Sequence, residues 1–256
     1  MGVDYDKIAS GYNKRYKWES NFNRGLVIQN LVEQRNPRSV LEVGCGTGHW
    51  LEILAPMVPE RYGLDASLGM LSQADQRPTP AHLVQGYAQN LPFPDDRLDM
   101  VLVVNALHHF KAPAAFIMEA YRLLCPEGIL VIIGGDHIDR KDDWYVYQYF
   151  EGTYEADLAR FPSWDTIANW MTTAGFQQLF GEIVEYVVDH KHGRDVLQDP
   201  FLEKSMCSQL ALLSDQDYAR GLQRIKADLT QAETRGETLV FPAEFTLRML
   251  RGKKSK

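Results

Sequence analysis

The stretch best equipped for chemistry reads Val40-Leu41-Glu42-Val43-Gly44-Cys45-Gly46-Thr47-Gly48, an apolar run that breaks into three alternating glycines. Glycines at a strand-to-helix turn permit positive φ and let a ligand approach bare backbone. Asp65 follows about twenty residues after the first glycine, where an acidic side chain can accept hydrogen bonds from both hydroxyls of a ribose. These residue types in this order describe a nucleotide site, and the glycine spacing narrows which one. Dinucleotide enzymes favour GxGxxG, with a pyrophosphate on the following helix N-terminus. Here the spacing is GxGxG, followed by His49 and Trp50, and Glu42 stands just ahead of the turn. That carboxylate would repel a pyrophosphate. It suits a ligand with an ammonium group, and S-adenosylmethionine carries one, together with a sulfonium charge and no phosphate.

Other groups could move protons or hold ions. His108-His109 follows an apolar run; an imidazole titrating near neutrality can take a proton from a hydroxyl or amine, and a structural or merely pocket-lining role is the alternative the sequence favours. Asp136-His137-Ile138-Asp139 contains ligand-type residues, but a turn of solvated polar groups accounts for it, and no metal is expected. His190 and His192 sit in a polar stretch and are expected to face solvent. Residues 144–150, Trp-Tyr-Val-Tyr-Gln-Tyr-Phe, form an aromatic band suited either to core or to a substrate wall; Trp144, Tyr145 and Tyr149 are its candidate substrate contacts.

The elements that must position these groups alternate regularly. Tyr5, Ile8, Tyr12 and Tyr16 recur at helical spacing, and a second helix is expected over 23–34. Short strands are expected at 39–43, 61–64, 82–85, 98–104 and 129–133, with helices over 49–55, 67–76 and 112–124 between them. Strands that read as continuous apolar runs between helices imply a parallel sheet covered on both faces, the doubly wound α/β class. Beyond Gly134-Gly135 a helix at 163–174, a strand at 177–188, mostly helix over 195–235 and a last strand within 237–250 are expected. One domain results, with N-terminal lid helices in 1–36, a ligand-binding core in 37–135 and a substrate-facing insert plus the rest of the sheet in 136–256.

Together these stretches resemble the class I S-adenosylmethionine-dependent methyltransferases. The run 40–48 is similar to their first motif, and Gly63-Leu64-Asp65-Ala66-Ser67 to their ribose-binding segment. Gly86-Tyr87-Ala88-Gln89-Asn90-Leu91-Pro92-Phe93 resembles the segment that cups adenine, and 98–110 the fourth strand with its active-site loop. Arg122-Leu123-Leu124-Cys125-Pro126-Glu127-Gly128 is similar to the turn that closes the core. The resemblance implies a mostly parallel seven-stranded sheet. It implies that Glu42, Gly44 and Gly46 line the methionine end of the cofactor with Cys45 among its contacts, that Asp65 holds the ribose, that Ala66 and Met70 flank the adenine, and that Ala88 meets its edge with Leu91 nearby. Asn105 would lie beneath the methionine portion, and Tyr5 and Tyr12 belong to a segment that lids the pocket. Tyr87 stands where the family often has an Asp that accepts from the adenine amino group; Gln89 or a backbone carbonyl is the replacement.

Composition narrows the acceptor. With 34 acidic against 27 basic residues the chain carries a formal charge of −7, a poor match to a nucleic-acid backbone. The basic tail at 251–256 reads as a frayed terminus. Three scattered cysteines make no disulfide framework, no leader or membrane-spanning run is evident, and a cytoplasmic protein with a small-molecule acceptor is expected. Oligomeric state is not legible. Methyl transfer would leave S-adenosylhomocysteine, on an oxygen or nitrogen acceptor, with His108 and His109 as candidate proton carriers. Two rivals stand beside this reading: a non-catalytic or regulatory cofactor-binding protein of the same fold, and an NAD-dependent oxidoreductase.

Overall fold

In the computed structural model, which describes residues 3–14, 16, 23–137 and 142–256, the apolar runs become the middle of one sheet. β1 (Ser39–Val43) is buried at every position and β4 (Leu98–Val104) at all but one. A strand with no solvent-facing side must be covered by helices above and below. β1 pairs in parallel with β2 (Glu60–Asp65) and with β4, β2 with β3 (His82–Gln85), and β4 with β5 (Leu124–Gly135). β8 (Val240–Lys254) then runs antiparallel between β5 and β7 (Phe176–His192). The strand order turns back at β1 and β4, and in such sheets ligands bind beyond the carboxyl ends of the strands at that point.

This is the doubly wound, mostly parallel α/β fold. Among the described residues there are seven substantial strands, and an eighth of two residues, β6 (Asp143–Trp144), pairs with Ala243 and Glu244 of β8 just beyond the reach of β5. The basic tail is not frayed: β8 runs on through Lys254, Gly252 pairs with Leu130, and Lys253 and Lys254 reach Glu127 and Asp96 at 2.6 and 2.7 Å. The expected helix over 195–235 is divided. Two 3₁₀ turns lead to the four-residue α9 (Ser208–Ala211), and only α10 (Asp215–Thr234) is long, because Pro200 and the Ser214 cap interrupt the run.

On the sheet faces lie α2 (Asn23–Arg35), α3 (His49–Ile53), α4 (Leu68–Ala74), α5 (Pro113–Leu123) and α8 (Trp164–Ala174), while α1 (Tyr5–Tyr12) packs on α4. α4 and α8 start on serines, Ser67 and Ser163, that accept from the backbone N–H three residues on at 3.1 Å, and α8 stops at Gly175 with φ +104°. A separate buried cluster gathers α6 (Tyr145–Tyr149) and Phe150 against α10, and α7 (Thr153–Arg160) follows it in the chain. Gly221 of α10 admits the ring of Phe150, and a Cβ there would stand 2.2 Å from Phe150 Cδ1. Gly221→Ala is therefore expected to cost about 1–3 kcal/mol through overpacking, despite the better helix propensity of alanine; an unchanged urea midpoint would refute this. Among the described residues no helix is long and apolar enough to cross a membrane.

Candidate functional site

The glycine turn lies at the carboxyl end of β1 and is pinned to its neighbour: the Gly44 and Cys45 N–H groups both donate to the Leu64 carbonyl, at 2.7 and 3.1 Å. Gly44 has φ +74°, and a Cβ on it would come within 2.5 Å of Ala106 Cβ, so conformation and crowding both demand glycine. Asp65, at the end of β2, completes the turn by accepting from Gly46 N–H at 2.8 Å and Ser67 N–H at 2.9 Å, one on each oxygen. Burial pushes its carboxyl up, and the backbone donors Ser67, Gly46 and Ala66 oppose that. Each oxygen keeps a further lone pair for a ligand.

Glu42 is 1% exposed, one residue before the end of β1. Its carboxyl is held well above the ordinary range, first by burial and next by the neighbouring Asp65, with Arg77 pulling the other way. Its Oε2 has no hydrogen-bond partner among the described residues. Burying a carboxylate oxygen without a partner is costly, so this atom is a vacant acceptor at the sheet's functional edge.

These groups surround one cavity of about 660 Å³. Glu42, Gly44, Cys45, Gly46, Asp65, Ala66, Met70, Tyr87, Ala88, Gln89 and Asn105 all line it. Asn105 follows β4 in the left-handed region, φ +52°, with its N–H on the Ile133 carbonyl at 2.8 Å. Tyr87 is 57% exposed at the rim, with Lys111 Nζ 5.6 Å from its ring centre. A second cavity, about 450 Å³, adjoins the first, and Tyr5, Tyr12, Asn105, His108 and His109 line both.

α1 covers the junction. Asp6 Oδ1 accepts from Ser67 Oγ and Gly69 N–H, both at 2.7 Å, and these bonds hold its carboxyl below the usual range. Asn13 Oδ1 accepts from Thr47 Oγ1 at 2.6 Å. The Tyr5 hydroxyl lies 2.7 Å from His109 Nε2, and Tyr16 stacks on His49 at 3.9 Å. His108 stacks on Phe161 at 3.8 Å. Ile138 and Asp139 lie outside the described residues.

The aromatic band divides. Trp144 lines the second cavity, but Tyr145 and Tyr149 line neither. Tyr145 is fully buried, donates to Asp199 Oδ2 at 2.9 Å, and packs in the cluster under α10. Tyr149 reaches Asp228 at 3.0 Å, beside Arg224. Both belong to the packing of α6, whose turn carries them away from the cavity, and they are withdrawn as substrate contacts. Asp136 and His137 are not a solvated turn either; they are 1% and 9% exposed. His190, by contrast, is exposed and paired with Glu244 at 2.6 Å. The described residues hold no cluster of three or more His, Cys, Asp or Glu suited to a metal. Sequence reasoning missed several lining residues of the second cavity: Phe161, Gln209, and the buried pair Arg24–Glu185, whose Nε and Oε2 lie 3.2 Å apart. They come from α2, β7, α9 and the loop after α7, so no local spacing marks them.

A family model described as "Methyltransferase domain" matches residues 41–132, from β1 to β5. A demethylmenaquinone methyltransferase of Lactiplantibacillus plantarum is 30% identical over 167 residues, 55% of this chain and 70% of that one. An uncharacterized methyltransferase of Bacillus subtilis, YcgJ, is 30% identical over 143 residues; the chain spans 55% of its length in that match. Among solved structures, YcgJ superimposes with a TM-score of 0.58 at 20% identity, covering 91% of this chain and 98% of that one. A SAM-dependent methyltransferase of Thermotoga maritima gives 0.60 at 19% identity over 98% of each. These structural likenesses concern the fold. The chain belongs to the class I S-adenosylmethionine-dependent methyltransferases, and it is a methyltransferase rather than an NAD-dependent oxidoreductase or a regulatory relative.

Proposed function

We propose that the larger cavity binds S-adenosylmethionine and that the adjoining one receives a small-molecule acceptor for O- or N-methylation. The observation that carries this is the pair of cavities meeting at Asn105, His108, His109, Tyr5 and Tyr12. The residues present fit the cofactor. The vacant, buried Glu42 Oε2 is an acceptor for its ammonium, and Gly46, where an added Cβ would meet only the edge of the Tyr12 ring at 4.0 Å, leaves bare backbone on the cavity wall. Asp65 has a lone pair on each oxygen for the ribose hydroxyls, while Ala66, Met70 and Ala88 offer apolar contact to the adenine. Tyr87, open at the rim, can lie beside the ring, with Gln89 as the polar partner for its amino group.

Bound there, S-adenosylmethionine supplies a methyl group already activated on a positive sulfur. The chain's own work is then to hold donor and acceptor at near-attack distance, exclude water and accept a proton where the acceptor needs it. The lid does the second through Asp6, Asn13 and Tyr5. His108 and His109 line both cavities, and the bond between His109 Nε2 and the Tyr5 hydroxyl ties that ring to lid closure. The formal charge of −7 favours a small acceptor over nucleic acid or an anionic membrane surface. We place the enzyme in the cytoplasm, in keeping with three cysteines that form no disulfide.

Calorimetry tests the reading. S-adenosylmethionine and S-adenosylhomocysteine are expected to bind with one-to-one stoichiometry; no binding heat up to about 1 mM, the upper end of ordinary enzyme affinities, would remove the proposal.

A further inference from the structure

His137 follows β5 and lines the second cavity, in a setting the proposed function leaves unused. Its Nδ1 is hydrogen-bonded to Asp142 Oδ2, and the Asp142 side chain is 2% exposed. A carboxylate on Nδ1 places the imidazole proton there and leaves the Nε2 lone pair as an acceptor. Nε2 makes no hydrogen bond among the described residues. It lies against Gly135, where a Cβ would stand 2.3 Å from it, so the missing side chain is what gives this edge of the ring its space. The ring is braced on its other sides. Phe161 meets it edge to face at 4.3 Å, and the Tyr147 hydroxyl lies 3.4 Å from Nδ1. That hydroxyl donates to Asp157 Oδ2 at 2.8 Å, and Asp157 also receives Gln209 Nε2 at 2.6 Å and an ion pair from Arg160. Much of the remaining wall is apolar: Trp144, Phe161, Phe201, Phe245 and Leu247.

We propose that the second cavity takes an acceptor with a hydroxyl nucleophile on a largely apolar body, and that His137, positioned by Asp142, removes the hydroxyl proton. The inference rests on the methyl-transfer reading and deepens it. A free amine brings its own lone pair, and a thiol ionises near pH 8.5; a hydroxyl, at 10 for a phenol and higher for an alcohol, is the nucleophile that requires a base. In the step, an oxygen lone pair forms the bond to the methyl carbon while the carbon–sulfur bond breaks and leaves its electron pair on sulfur. The O–H proton passes to His137 Nε2. The imidazolium is stabilised by Asp142 and returns its proton to water. The products are a methyl ether, a neutral thioether and one proton.

The first measurement needs no acceptor. In nitrogen-15 histidine spectra of the full chain at neutral pH, the signals lost in His137→Asn are expected to report a protonated Nδ1 and a bare Nε2. Asp142→Asn should shift this ring towards the other tautomer, a change that mere loosening of the loop would not produce. A wild-type ring protonated on Nε2 overturns the proposal. His137→Asn keeps a donor for Asp142 while removing the base, so S-adenosylhomocysteine affinity is expected to stay at the wild-type value. The second measurement follows S-adenosylhomocysteine release with catechol, benzylamine and thiophenol as probes. Catechol should be methylated, with kcat down about 100-fold in His137→Asn. Methylation of benzylamine or thiophenol alone, or an unchanged kcat in His137→Asn, sinks this inference while the methyltransferase reading stands. A wild-type protein that binds no S-adenosylhomocysteine removes both.

Discussion

Asp65→Ala is expected to weaken S-adenosylmethionine binding by at least about 100-fold and to lower the melting temperature at the same time. Two roles meet in this carboxylate. Its oxygens hold the Gly46 and Ser67 N–H groups at 2.8 and 2.9 Å, so they fix the glycine turn and the entry to α4. Bonds of this kind to a charged partner contribute about 1.5–3 kcal/mol each, and removing the acceptor strands two donors beside the cavity. The second role is the ribose, whose hydroxyls would lose their acceptor. At about 1.4 kcal/mol per tenfold in affinity, loss of even two such contacts reaches the stated range. Asp65→Asn separates the roles. It keeps one oxygen and the shape but puts an amide donor against a backbone donor, so it should fall between wild type and Ala in both affinity and stability. Calorimetry with S-adenosylhomocysteine and a melting curve suffice as readouts. Wild-type affinity in Asp65→Ala would sink the ribose assignment even if the melting temperature dropped.

Asp65 was legible from the sequence because everything that defines it is local: a strand, three glycines, a second strand and an acid at its end. The residues from Glu42 to Asn105 lie on the ends of β1 to β4 or the turns that follow them, Met70 in the first turn of α4 apart, and a short strand fixes where such an end falls. The second cavity obeys no such rule. Its walls come from α2, β7, α9 and the loop after α7, segments distant in sequence that the sheet brings together, so Arg24, Glu185, Phe161 and Gln209 carry no periodic mark. The aromatic band shows the same limit from the other side. Its composition announced a cluster, but which ring faces a cavity depends on the turn of α6 and on α10 across from it, and only Trp144 proved to line one. The basic residues of the tail suggest solvent and a frayed end, which the structure does not show. Residues 251–254 instead belong to β8, the Lys253 and Lys254 ammonium groups bond Glu127 and Asp96, and strand pairing outweighs the charge pattern.

Glu42→Gln should move stability and affinity in opposite directions. The Glu42 carboxyl is buried and stands beside Asp65, and both effects lift it well above the ordinary glutamate value. Between that ordinary value and the raised one, the folded protein holds a proton that the unfolded chain has released. Stability of the ligand-free protein therefore falls as pH rises through the interval. Glutamine keeps the shape and has no proton to lose, so this slope should be absent in the variant. Its ligand-free form should also melt higher at neutral pH, by about 2–4 °C for each kcal/mol recovered in a chain of this size. The cofactor's ammonium reverses the sign. It favours the ionised carboxylate, so the complex holds fewer protons than the free protein and binding expels one. Affinity then rises with pH across the interval, and binding heats in buffers of different ionisation enthalpy should reveal proton release. In Glu42→Gln the release should vanish and the affinity fall by about 10–100-fold, the value of one charge-assisted hydrogen bond. A variant that is no more stable and binds as tightly as wild type would mean that Oε2 does not face the ammonium. If instead stability rises and affinity falls together, the protein keeps an acid in its core at the expense of folding because the ligand requires it there.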